Sequence, residues 1–99
     1  MPVLAIFTGK ISKDQYDTVR KEIDSENKSP AGAIFHAVSF DDAGNIHVAE
    51  AWDSPETLNA FVQNALMPAL QKHNVAPPDV SVFPTHKVLC YSGVEKYRA

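Results

Sequence analysis

Cysteine is almost missing from this chain, with Cys90 alone among 99 residues. A single thiol closes no internal disulfide and builds no Cys-rich metal cage, and it suits a reducing compartment. No apolar stretch approaches the roughly 20 residues that a membrane-spanning helix needs. The opening Met1-Pro2-Val3-Leu4-Ala5-Ile6-Phe7 lacks the positive segment and cleavage pattern of a secretory signal, and Thr8-Gly9-Lys10 ends the apolar stretch early. A cytoplasmic location without membrane association is expected. Positive charge is also scarce: nine Lys and Arg face twelve Asp and Glu, for a net charge of −3, with no basic cluster and no aromatic–basic interleaving. That balance argues against a nucleic-acid partner. A Gly-rich phosphate loop, a serine nucleophile elbow and a dinucleotide fingerprint are all absent. The histidine spacing forms no zinc or iron signature, so neither a metal nor a cofactor is expected.

What is present is ordinary for a globular protein, with 44% apolar and 21% charged residues. A chain of 99 residues is one domain, spanning 1–99. A domain of this size buries roughly 60 to 68% of its unfolded surface, so association with a second copy would help it.

Val3 to Thr8 is rich in β-branched and aromatic residues and reads as a mostly buried strand ended by Gly9. Ser12 is placed to cap a helix starting at Lys13, with Gln15 in the capping-box position and Tyr16, Val19 and Ile23 forming a buried stripe. This helix is predicted to end near Ser25, followed by a polar loop over 26–32. Ser54 followed by Pro55 is a strong helix start, and Leu58, Phe61, Val62, Ala65 and Leu66 make its inward face. Pro68 falls inside the continuing pattern, so a kink or restart is expected there, with the last turns reaching about His73. An extended connector follows from Val75 to Asp79. Val80 to Tyr91 reads as the last strand, with a possible interruption at Pro84, and Ser92 to Ala99 has no clear preference.

The segment between the helices carries most of the information. Asp42-Ala43-Gly44 suits a three-residue hairpin loop with Gly44 left-handed, flanked by Asp41 opposite Asn45. Counting back pairs Phe40 with Ile46, Val38 with Val48, His36 with Glu50 and Ile34 with Trp52 on one face. That face is apolar apart from one His/Glu couple. The reverse face pairs Ser39 with His47, Ala37 with Ala49 and Phe35 with Ala51.

The element order is therefore βαββαβ. Right-handed crossovers make this a ferredoxin-like α+β fold, a four-stranded antiparallel sheet with two helices on one face. The uncovered face is poor in charge, and a homodimer packed sheet to sheet is the simplest way to hide it.

This arrangement, together with Glu50-Ala51-Trp52-Asp53-Ser54-Pro55-Glu56 running on to Phe61, resembles the antibiotic-biosynthesis-monooxygenase-like branch of the dimeric α+β barrel superfamily. The resemblance covers nearly the whole chain. It implies a homodimer whose facing sheets form a barrel, with a ligand pocket in each subunit between helices and sheet. Superfamily members include cofactor-independent oxygenases, haem-degrading enzymes, isomerase-like enzymes and stress-induced proteins. The haem-degrading members resemble one another in a first-strand Asn, a Trp on the second helix and an iron-binding His further along it. Here the first strand has no Asn, Phe61 stands at the Trp position and Gln71 at the His position, with His73 two residues late.

Two readings of the His36/Glu50 couple remain open. A carboxylate beside an imidazole among apolar groups can position a general acid or base near neutral pH. Such a base could take a phenolic or enolic proton and leave an electron-rich anion able to react with oxygen without a metal. In that reading His36 is the base and Glu50 orients it. Trp52, Phe61, Leu66 and Tyr16 line the pocket for a small apolar or aromatic molecule, with the Tyr16 hydroxyl able to donate to a bound oxygen. The alternative is a non-catalytic small-ligand-binding or stress-related dimer in which His36 and Glu50 form a structural cross-strand pair. His47 and His86 read as surface or packing residues and Cys90 as a buried strand thiol.

Overall fold

The computed structural model describes residues 1–23 and 29–97. Strand β1 (Val3–Gly9) leads to helix α1 (Lys13–Ile23), then to the hairpin β2 (Ala33–Phe40) and β3 (Ile46–Trp52). Helix α2 (Pro55–Phe61) runs through a π turn (Val62–Leu66) into α3 (Met67–Lys72), followed by β4 (Asp79–Pro84) and a 3-10 segment (Ser92–Tyr97). The strands form one antiparallel sheet in the order β2-β3-β1-β4, the ferredoxin-like α+β arrangement. The expected end of α1 near Ser25 lies outside the described residues.

Local chemistry sets each boundary. At the start of α1 the Ser12 Oγ accepts from the Gln15 N–H at 3.1 Å and the Ser12 N–H donates to Gln15 Oε1 at 3.0 Å, a reciprocal capping box. Ser54 caps α2 by accepting from the Thr57 N–H, with Pro55 in the first turn. Between β2 and β3, Gly44 adopts φ +84° and the Asp41 N–H donates to the Asn45 carbonyl at 3.0 Å. Asp41 is held there by its own carboxylate, which accepts from the Ala43 and Asn45 N–H groups and from His47. The hydrogen bond from His47, then that from the Asn45 backbone, lowers the Asp41 pKa to about 2.

At Pro68, where a kink or restart is expected, the helix after Ser54 changes its winding and restarts. Pro68 has no N–H to donate and its ring crowds the preceding turn. The chain answers with one turn of π-helix, in which the Met67 N–H reaches back to the Val62 carbonyl, and α-helix resumes at Met67. Its far end is a Schellman motif: Asn74 is left-handed at φ 56°, the Val75 N–H bonds the Leu70 carbonyl at 2.9 Å, and the Asn74 N–H bonds that of Gln71. Val75 and Leu70 are both buried, the apolar contact such a terminus favours.

The hairpin register is Phe40 with Ile46, Val38 with Val48, and His36 with Glu50, as the turn dictates. One position departs from it. Ala33, not Ile34, faces Trp52, because an extra residue is accommodated between Ala33 and Phe35. This bulge lets the Gly32 carbonyl accept from the Asp53 N–H at 2.8 Å and brings Gly32, at φ +85°, against Thr57 at the head of α2. The last strand also stops earlier than expected. Asp79–Pro84 is strand, while 85–91 has no regular structure, consistent with Pro84 removing a ladder donor. Cys90 therefore lies beyond the sheet and is exposed rather than buried in a strand.

The core lies between the helices and one sheet face. Val3, Ala5 and Phe7 of β1 and Ile46, Val48 and Trp52 of β3 pack with Val19, Leu58 and Leu70 from the helices. The other face stays open and apolar, with Phe35 and Phe83 exposed to 42% and 52%. No helix among the described residues is long and apolar enough to cross a membrane.

Candidate functional site

His36 sits in the central part of β2, and the register sets it directly opposite Glu50 on the helix-covered face. Its Nδ1 lies 2.5 Å from Glu50 Oε2, and its Nε2 lies 2.8 Å from the Tyr16 hydroxyl. The second carboxylate oxygen, Glu50 Oε1, accepts from Trp52 Nε1–H at 2.9 Å. Four side chains from three elements thus form one chain, Trp52–Glu50–His36–Tyr16. Glu50 is the only buried charged residue among those described, and both of its oxygens are engaged.

These contacts assign the imidazole tautomer. A carboxylate accepts only, so Nδ1 carries the proton directed at Glu50. In the neutral ring Nε2 is then an acceptor, and the Tyr16 O–H donates to it. The geometry gives a basic nitrogen with its orienting carboxylate behind it and a hydroxyl in front, the arrangement of the general-base triads. Packing fixes the angle: the Tyr16 and His36 rings lie 6.0 Å apart at 23°, and Phe40 meets Tyr16 edge-on. The side chains of His36 and Glu50 are 24% and 8% exposed, so the imidazole retains access to solvent while the carboxylate does not.

Two cavities adjoin this chain. The first, of about 70 Å³, lies between α1, α2 and the sheet and is lined by Tyr16, Arg20, His36, Glu50, Phe61 and Leu66 among otherwise apolar residues. That is several times the roughly 10–15 Å³ one water needs. The second, of about 150 Å³, lies toward the start of β2 and shares His36, Glu50 and Phe61, adding Trp52. Trp52 and Phe61 contact each other at 5.1 Å between ring centroids, and both line the second cavity.

The residues singled out in the sequence therefore separate into groups. His36, Glu50, Tyr16 and Trp52 are joined by hydrogen bonds, while Phe61 and Leu66 are lining residues. Trp52 does more than present a ring, since its N–H holds the carboxylate. His73 is elsewhere: its Nε2 lies 3.1 Å from Glu22, which also pairs with Lys72. Hydrogen bonds from Lys72, then His73, lower the Glu22 pKa, and the trio ties α1 to α3. His47 pairs with Asp41 on the open side of the hairpin, and His86 follows the edge strand opposite β2. No group of three His, Cys, Asp or Glu that could hold a metal occurs among the described residues.

Arg20 was not anticipated. It follows Tyr16 by one helical turn, places its Cζ 5.8 Å from the Tyr16 ring centroid and lines both cavities. The i, i+4 spacing on the face carrying Tyr16 was the available signal.

Fold and site together define a class: a ferredoxin-like α+β fold with a histidine-centred hydrogen-bond chain beside a mostly apolar cavity, a fold similar to that of solved proteins described as candidate antibiotic biosynthesis monooxygenases. No protein-family profile and no curated protein matches the sequence. Among solved structures, a candidate antibiotic biosynthesis monooxygenase from Chloroflexus aurantiacus is 19% identical with a TM-score of 0.62, over 89% of this chain and 97% of that one. A protein of unknown function from Nitrosomonas europaea gives 16% identity and a TM-score of 0.68, over 94% and 98%. SnoaB, a cofactor-independent oxygenase from Streptomyces nogalater, gives 12% identity and a TM-score of 0.59, over 89% and 94%. At these identities the likeness is one of fold.

Proposed function

We propose that this protein is a small homodimeric enzyme that removes a phenolic or enolic proton from a small aromatic or enolisable compound and needs no cofactor for that step. The hydrogen bonds on both nitrogens of His36 carry this reading. As the ligand hydroxyl gives its proton to the Tyr16 oxygen, Tyr16 passes its own to His36 Nε2. The imidazolium that forms is balanced by Glu50, which Trp52 holds in place. A protein-bound base of this kind contributes about 10²–10⁴ in rate. The resulting anion can be reprotonated at carbon, giving an isomer, or react with dioxygen, and the fold shared with a cofactor-independent oxygenase supports the second route. Phe61 and Trp52 stack the ring, and Leu66 closes the apolar wall.

The open sheet face supports the homodimer, since Phe35 and Phe83 with Leu4 would leave water against a second copy. A cytoplasmic location accords with the free, exposed Cys90.

A panel of hydroquinones, hydroxynaphthalenes and 1,3-diketones tests the assignment by deuterium wash-in and oxygen uptake. The wild type is expected to act on at least one class well above buffer. His36→Ala is expected to lose that activity with unchanged circular dichroism and subunit count. Equal activity in the variant, or none in the wild type, refutes the role of His36.

A further inference from the structure

Arg20 is a charged residue whose position the proton chain does not explain. Its Nε is buried without a hydrogen-bond acceptor, and no ion pair to it occurs among the described residues. Buried donors are nearly always satisfied, so one left over beside a cavity points to an acceptor supplied from outside the chain. The acid nearest in the site does not serve: Glu50 has one oxygen on His36 and the other on Trp52. Glu22, on the same helix, is engaged by Lys72 and His73. Meanwhile the Arg20 guanidinium lies over the Tyr16 ring, with its Cζ 5.8 Å from the ring centroid, and the hydroxyl of that ring reaches His36. Arg20 and His36 both line each of the two cavities.

We infer that the ligand of this site is an acid, a small aromatic or enolisable carboxylate, and that Arg20 is the residue that holds its carboxylate while the ring lies against Phe61. The assignment rests on the cavity being the ligand site, as the proposed function has it, and adds the charge of the ligand. A planar guanidinium matches a carboxylate with two parallel N–H donors, which an ammonium cannot do. Anchored there, the ligand presents its far end toward Tyr16 and His36, so Arg20 sets which molecules enter and in which orientation.

Isothermal titration calorimetry with benzoate and its neutral isostere benzamide tests this on wild type, Arg20→Met, Arg20→Lys and His36→Ala, each first checked for folding by circular dichroism. Wild type is expected to bind benzoate at least tenfold more tightly than benzamide, equivalent to about 1.4 kcal/mol. Arg20→Met removes that preference and Arg20→Lys retains part of it, whereas His36→Ala, which keeps Arg20, still binds benzoate more tightly than benzamide. Equal binding of both probes by wild type, binding of neither at millimolar concentration, or a preference that survives Arg20→Met overturns the inference. A benzoate preference in a protein whose His36→Ala variant turns over normally would keep the acid site and remove the proton-transfer reading, so the two failures are distinguishable.

Discussion

Replacing Glu50 by Leu strips two donors of one shared acceptor, and the structure sets what that costs. Trp52 is 3% exposed and its indole N–H has Glu50 as its partner, so the group is left buried and unpaired, at about 1–3 kcal/mol. The His36 side chain is 24% exposed and can turn its Nδ1–H to water, so it loses only a net hydrogen bond, about 1 kcal/mol. The sum is about 2–4 kcal/mol, and at about 4–8 °C per kcal/mol for a domain of this size the melting temperature falls by roughly 10–30 °C. Trp52→Phe removes the indole donor while keeping a ring against Phe61. In that background Glu50→Leu is expected to cost about 1–2 kcal/mol less, because removing both partners of a buried hydrogen bond is far cheaper than removing one. Urea unfolding of the four proteins closes the double-mutant cycle. A coupling below about 0.5 kcal/mol would refute the claim that the indole holds the carboxylate, given that contacting pairs normally couple by more.

Gly32→Ala should lower stability by about 1–2 kcal/mol from the left-handed backbone alone. A further loss is expected because the added methyl would lie 2.5 Å from the Thr57 side chain; denaturant unfolding unchanged from wild type would contradict the packing of the bulge onto α2. The Asp41 carboxyl, lowered to about 2 chiefly by His47, gives an acid-dependent prediction. A depressed folded pKa means that its stabilisation is complete above the unfolded value of 3.8 and is lost as the pH falls toward about 2. Amide protection around the hairpin turn should decline over that interval in wild type and not in Asp41→Asn, and a carboxyl titration centred near 3.8 would contradict it.

The elements best read from the sequence are those whose chemistry is local. Asp42-Ala43-Gly44 fixed the hairpin loop, and a period of two then carried the register back to His36 and Glu50 without further information. Ser12 with Gln15, and Ser54 with Pro55, located both helix starts through side-chain groups within four residues. The bulge escaped notice because Ala33, Ile34 and Phe35 are all apolar, so an inserted residue leaves no break in the pattern. Pro68 brings no N–H to the carbonyl four residues back, so some adjustment is demanded, but a kink, a restart and a π turn all accommodate it and the apolar pattern does not distinguish them. In the site, cross-strand pairing was legible, whereas the Tyr16 bond to His36 and the placement of Arg20 depend on how α1 lies across the sheet. That docking is set by long-range packing, which periodicity does not encode.

The central claim is that Glu50 holds the proton on His36 Nδ1, leaving Nε2 as the base toward Tyr16. Long-range ¹H–¹⁵N correlation spectra of the imidazole, recorded in wild type and in Glu50→Gln, read that tautomer directly. The account predicts a protonated Nδ1 and a pyridine-like Nε2 in neutral wild-type His36, and the reverse in Glu50→Gln, whose amide can donate to Nδ1. A wild-type ring protonated at Nε2 with a bare Nδ1 would contradict it.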